Sequence, residues 1–168
     1  IQAGLKFVGN SFLCKAENQL MSLTVNIPGE KEMIGVAPAL YKKSVFSQIR
    51  FSDEITKSMD DTDFMFRLKR DTGLKIGTSH QKVFSLHFGG IGDYLHKFLW
   101  YGKGDGEFCM KHKRRAWKMI FHLAITYPII YPIKGLMRLK FKIIPFCVMQ
   151  GYVRLFSCLR FILRSLVN

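Results

Sequence analysis

The chain has 168 residues, 48% of them hydrophobic and 23% charged, which suits one folded domain and excludes a disordered tail. Its 26 Lys and Arg against 12 Asp and Glu give a formal net charge of +14, which points to an anionic partner, either nucleic acid or a phospholipid surface. Residues 1–105 carry 14 basic and 11 acidic side chains, a net of +3, whereas residues 106–168 carry 12 basic side chains and one acid, Glu107.

The first 27 residues read as apolar stretches broken by Gly4, Gly9 and Asn10, with alternation over 20–27 that predicts a strand ended by Pro28 and Gly29. No signal-peptide pattern opens the chain at Ile1, and a fragment of a longer protein is expected. Residues 33–40 form a short apolar run, after which Lys42, Lys43 and Ser44 predict the start of a helix carrying Val45, Phe46 and Ile49 inward. A loop over residues 50–54 follows.

Residues 58–71 carry the clearest local signal. Polar residues crowd the start, Phe64, Met65 and Leu68 recur at helical spacing, Lys69 and Arg70 occupy the last turn, and Gly73 stops the helix. Two short strands are predicted over 74–77 and 82–87, then an aromatic helix over 93–101 closed by Gly102 and Gly104. Interleaved strands and helices make this portion α/β.

From Lys111 the character changes, with Lys113, Arg114, Arg115 and Lys118 around Trp117 and then a run rich in Ile, Leu, Phe, Met, Val and Tyr. Membrane-surface segments combine charge and hydrophobicity in this way, and nucleic-acid arms seldom do. Fifteen helical residues over 119–133 would reach only about 22 Å against a hydrocarbon core of about 30 Å. Pro128 and Pro132 interrupt them as well, which argues against a simple spanning helix. Beyond Pro145, Gln150, Arg154, Ser157, Arg160 and Arg164 share one arc of a predicted helix whose remaining positions are apolar.

Three arginines at mid-bilayer would cost about 2.5–3.5 kcal/mol each, so this basic amphipathic helix is expected to lie flat. Trp117, Tyr127, Tyr131 and Tyr152 would then sit at headgroup level. The alternative is an ordinary helix whose wide apolar face packs on the rest of the protein. Cys14, Cys109, Cys147 and Cys158 show no C-x-x-C pair, so reduced thiols and a cytosolic setting are expected.

Asp60, Asp61 and Asp63 have two readings. One is structural: Asp60 as N-cap with Asp61 and Asp63 in the first turn satisfies free N–H groups and opposes the helix dipole. The other is catalytic. The run Asp60, Asp61, Thr62, Asp63, Phe64, Met65, Phe66, Arg67, Leu68 with Gly73 beyond it resembles the acidic acceptor-side motif of family 2 glycosyltransferases. Neighbouring stretches agree in order: Gly9, Asn10 and Ser11; the small residues from Ala37 leading to Tyr41, Lys42, Lys43, Val45 and Phe46; Phe51, Ser52, Asp53 and Glu54; Lys75, Ile76 and Gly77; Val83 and His87; and Tyr101 to Gly104.

The resemblance spans roughly residues 9–104. It implies the acceptor-side half of a GT-A domain over residues 1–105, an α/β partial fold, followed by amphipathic membrane-associated helices over 106–168. It implies a sugar transferred from a nucleotide-sugar donor to a glycan or lipid-linked acceptor. Asp61 matches the family's catalytic base and Asp60 the accompanying acid, while Asp63 and Arg67 would orient the helix or bind phosphates. His87 would help hold a divalent cation, Mg or Mn, or else is a strand-end histidine satisfied by backbone.

The family's main metal motif lies in a nucleotide-binding half that would precede Ile1, and the Gln-x-x-Arg-Trp motif of processive members has no match, so a single transfer is expected. Peripheral attachment to anionic lipid on the cytosolic face of the cell membrane follows from the tail. A non-enzymatic peripheral membrane protein is the first rival. A nucleic-acid binder using the basic run at 111–118 ranks last, because one basic patch beside an apolar tail lacks interleaved aromatics.

Overall fold

A three-stranded mixed sheet and the helices around it form an α/β fold, which the computed structural model describes over residues 1–32, 38–86 and 89–167. Strand β1 (Gln2–Val8) lies parallel to β3 (Gly77–Leu86), and the two-residue β2 (Gly29–Glu30) pairs antiparallel with the start of β3, giving the order β1-β3-β2. Helix α1 (Phe12–Leu23) covers β1. The outer edge of β1 meets the backbone of residues 38–40 at its start, with Ala3 N donating to Pro38 O at 2.9 Å, and side chains beyond it. Asn26 accepts from Leu5 N at 2.7 Å and donates to Leu5 O at 2.8 Å, and Asn18 does the same for Phe7 at 2.8 Å each. Each amide thus completes the backbone pairing that an open edge would leave unmet.

The strand expected over 20–27 is not formed, because α1 runs through Leu23. Ser11 caps it by accepting from Cys14 N at 3.1 Å, and Cys14, Ala16, Glu17, Leu20 and Leu23 fall on its buried side. Helical spacing of these residues outweighed the local alternation. The predicted helix after Ser44 is the short α2 (Val45–Gln48), with Val45 and Ile49 buried and Phe46 partly exposed.

Helix α3 (Asp60–Thr72) ends as expected, with Gly73 at φ 65° in the left-handed region that glycine adopts without a Cβ penalty. Its N-cap is Met59 rather than Asp60, and no side chain caps it. One strand, β3, stands where two were expected over 74–77 and 82–87: it starts only at Gly77, leaving Leu74, Lys75 and Ile76 outside it, and runs through 78–81, while His87 lies outside the described residues.

Helix α4 (Ile91–Lys111) does not stop at Gly102 and Gly104 but runs through both. At Gly102 a Cβ would collide with the backbone of Arg154, at Gly104 with Ser58, and at Gly106 it would lie 2.7 Å from Phe161. These glycines let neighbouring segments approach the helix; they do not terminate it. Residue 105, where the charge balance changes, lies inside α4.

Residues 113–137 form one continuous helical rod: α5 (Lys113–Phe121), a π-helical segment (His122–Ile130) and α6 (Tyr131–Met137). The prolines expected to interrupt it are accommodated. Pro128 lies in the wider π-helical turns and Pro132 just past the junction where they give way to α6, and neither ends the rod. After a turn, α7 (Ile143–Val167) runs back as the second arm of a hairpin. Leu139 in that turn has φ 55° although it is not glycine, and its side chain is 75% exposed.

Both arms are long and apolar enough to cross a membrane by length and composition. Both nevertheless touch the α/β portion at either end of the hairpin. Near the turn, Ile143, Phe146 and Cys147 share a core with Ala16, Leu20, Tyr94 and Phe98, and Lys140 donates to Ser22 at 2.5 Å. At the other end, the Arg115 guanidinium lies 4.3 Å from the centre of the Phe66 ring in α3.

The polar arc of α7 also points differently from expectation. Gln150, Arg154 and Ser157 turn inward, the latter two against α4, and only Arg160 and Arg164 face out. Tyr152, Phe156, Leu163 and Leu166 are exposed instead, as are Trp117, Ile133, Leu136 and Met137 on the first arm.

Candidate active site

The start of α3 borders a cavity of about 480 Å³. Ser58, Met59, Asp61 and Thr62 form one wall, Tyr101 and Phe108 of α4 another, and Arg115, Lys118, Met119, His122 and Tyr127 of the helical rod a third, with Arg154 reaching in from α7. Glu107 of α4 sets that first wall. Its carboxylate accepts from Thr56 N at 2.9 Å, Thr56 Oγ1 at 2.7 Å and Lys57 N at 3.0 Å, which fixes the backbone leading into α3.

The three aspartates at the helix start have three different environments, because successive helical positions rotate by about 100°. Asp60 is exposed and does not line the cavity. Asp61 is half-buried on the cavity wall, and its Oδ1 accepts from Thr62 N at 2.6 Å and Thr62 Oγ1 at 3.3 Å. Burial, and then the nearby Asp61 charge, push the Tyr41 phenol up to about 12.

Asp63 is fully buried. It meets Arg67 Nε at 2.8 Å, His112 Nε2 at 2.7 Å and Lys111 Nζ at 3.2 Å. Burial opposes its ionisation, but hydrogen bonds from His112, Arg67 and Lys111 hold its carboxyl below the usual carboxylate value. Arg67 also donates to Arg50 O at 2.8 Å, and Lys111 reaches Ser52 Oγ at 2.6 Å and Glu54 at 3.0 Å. Of the two roles expected for Asp63 and Arg67, these contacts supply the first: they hold α3 to the end of α4 and to the loop over 50–54.

The cavity floor holds a second charged group. Arg154 donates to both oxygens of the fully buried Asp105, at 2.9 and 2.7 Å, and its guanidinium lies 5.4 Å from the ring centres of both Tyr101 and Tyr127. It also donates to Tyr127 Oη at 3.3 Å. The π-helical spacing stacks His122 against Tyr127, ring centres 4.8 Å apart, which an α-helical offset of five residues would not do. Burial, and then the Arg154 charge, lower His122 to about 4, so its imidazole is neutral at pH 7.

Arg154 and Tyr127, expected among the lipid headgroups, line the cavity instead, and Asp105, Glu107 and His122 had no expected role. One signal was present: Asp105 and Glu107 are the last two acids before a uniformly basic tail.

His87, the expected metal ligand, lies outside the described residues. Among the described residues no group of three or more His, Cys, Asp and Glu side chains is arranged to hold a metal, and Asp63 is already bonded to Arg67, Lys111 and His112. Comparison with protein-family models, with curated proteins and with solved structures gives no match for the chain.

Proposed function

We propose that this chain is the acceptor-side portion of a glycosyltransferase that works at the cytosolic surface of a membrane, with Asp61 as its general base. The observation that carries the reading is the position of Asp61 on the wall of the cavity while its neighbour Asp63 is sealed inside. That position is where a carboxylate can meet an entering hydroxyl. The acceptor oxygen forms a bond to the anomeric carbon, the bond from that carbon to the nucleoside diphosphate breaks, and the diphosphate leaves with the electron pair. The hydroxyl proton passes to Asp61. Thr62, donating to Oδ1, holds the carboxylate in place.

The hairpin supports a membrane seat. Its contact with the α/β portion at both ends supports a hairpin lying along a surface. Lys113, Arg114, Lys134, Arg138, Lys142, Arg160 and Arg164 lie along the two arms and their turn, where they can meet anionic headgroups. Leu139, 75% exposed in the turn, presents an apolar side chain that suits a tip dipped into lipid.

The test is sugar transfer from radiolabelled nucleotide sugars to membrane lipids and glycans, with the protein as expressed from its own gene. Asp61→Asn is expected to lower the rate about 10²–10⁴-fold. An unchanged rate overturns the enzymatic reading and leaves the second one, a non-enzymatic peripheral membrane protein, which the exposed apolar flank of the hairpin supports independently. Co-sedimentation with anionic vesicles at rising salt tests the seat. Binding that is absent, or insensitive to salt, overturns it.

A further inference from the structure

The same cavity carries more positive charge than a base for a neutral hydroxyl needs. Arg154 is neutralised by Asp105. Arg115 and Lys118 are not: both line the cavity, and neither forms an ion pair among the described residues. Separated by three positions on α5, their side chains emerge about 5–6 Å apart on one helix face, a spacing that lets both reach a single tetrahedral anion. Arg115 is pre-positioned by the Phe66 ring beneath its guanidinium, 4.3 Å from the ring centre. Stacking of this kind orients the planar fork without using its donors. The Lys118 ammonium lies 5.5 Å from the centre of the Trp117 ring, so both cations rest on aromatic rings and neither on a carboxylate, with Asp61 on another wall of the same cavity.

The remaining wall indicates what the anion is attached to. Met59, Phe108 and Met119 are apolar, and the two methionines supply adaptable surface suited to a flexible chain. Tyr101 and Tyr127, the aromatic rings that might stack on a nucleobase, are both occupied by Arg154.

We infer that Arg115 and Lys118 form a subsite for the phosphate of a lipid phosphate, whose hydrocarbon chain leaves along the Met59, Phe108 and Met119 wall. This rests on the proposed function, since such a molecule would be the acceptor or its carrier. It adds the chemical class and the two residues that read it. A phosphate held between these cations stands across the cavity from Asp61, so a hydroxyl of the phosphate itself, or of the first sugar attached to it, comes within the base's reach.

The experiment measures binding and needs no turnover. Dodecyl phosphate is titrated into the protein in neutral maltoside micelles and followed by its ³¹P signal. Saturable one-to-one binding is expected, with Arg115→Gln/Lys118→Gln weakening it about tenfold or more. Lys15→Gln/Lys82→Gln removes as much charge from exposed positions outside the cavity and is expected to leave the affinity within about twofold. Dodecanol and uridine diphosphate are expected not to displace the probe.

Equal weakening by the two double variants reduces the effect to general surface charge and overturns the subsite. Displacement by uridine diphosphate as effective as by dodecyl phosphate itself assigns the phosphate to a nucleotide and overturns the lipid. Asp61→Asn is expected to retain the binding. Saturable binding lost only in Arg115→Gln/Lys118→Gln, with no transfer activity in any assay, sustains the subsite and removes the enzymatic reading, so the two fail separately.

Discussion

The Arg154 guanidinium and the Asp105 carboxylate form a two-point ion pair, 2.9 and 2.7 Å, that joins α7 to α4 out of contact with bulk water. A helix with three arginines along one arc looks from its sequence as if it should turn that arc to headgroups. Asp105 draws the middle of the arc inward and leaves the apolar remainder facing out.

Removing one member of this pair strands the other. Asp105→Asn is expected to destabilise the protein by about 3–5 kcal/mol, whereas Asp105→Leu with Arg154→Met recovers much of that loss, because an apolar pair of similar volume avoids an uncompensated buried charge. Thermal melts of the three proteins measure this. A single Asn variant as stable as the native chain would show the pair to be solvated.

The three aspartates at the start of α3 are expected to separate by assay. Asp60→Asn is expected to change neither transfer nor melting, since the side chain is exposed. Asp61→Asn should lower transfer alone. Asp63→Asn is expected to lower stability, and activity only with it, because it leaves Arg67, Lys111 and His112 around an amide. Rate and melting temperature measured on the same preparations distinguish the three.

Asp63 also sets an acid limit. Its folded-state pKa is held below the unfolded one, so its contribution to stability is fully present above the ordinary carboxylate value of about 3.9 and is lost as pH falls through the lower folded value. Urea midpoints are expected to fall on acidification below about pH 4. The same series on Asp63→Asn is expected to be flatter across that range. Parallel curves would assign the acid sensitivity elsewhere.

Two glycines sit where helices cross. A Cβ at Gly102 would overlap the Arg154 backbone, and one at Gly151 would lie 2.8 Å from Pro128 Cδ and 2.9 Å from Leu123 O. Gly102→Ala and Gly151→Ala are each expected to cost about 1–3 kcal/mol despite the better helix propensity of alanine. Gly92→Ala, with open space around its position in the same α4, is expected to be neutral or stabilising. Denaturant titration measures all three.

Helix α3 and its Gly73 stop, the long C-terminal helix and the α/β character of the first portion were legible because each is written in local spacing: apolar residues every three or four positions, a left-handed glycine, alternating strand and helix signals. The same local logic misplaced a strand over 20–27, closed α4 at Gly102 and broke the rod at Pro128. In each case a partner distant in the chain reverses the local preference. Leu20 and Leu23 pack on Phe146 and Tyr94, Gly102 admits Arg154, and Pro128 rests on Gly151 inside a π-helical segment.

For the candidate site, sequence alone marked the acid cluster and the basic hydrophobic tail, since charge and composition need no coordinates. Which aspartate faces a cavity, which is locked among cations, and which face of α7 points outward were decided only by packing. A helical position fixes an angle around its own axis, but the partner that meets that angle comes from another part of the chain: Lys111 and His112 for Asp63, Asp105 for Arg154, and Arg115 and Lys118 across from Asp61.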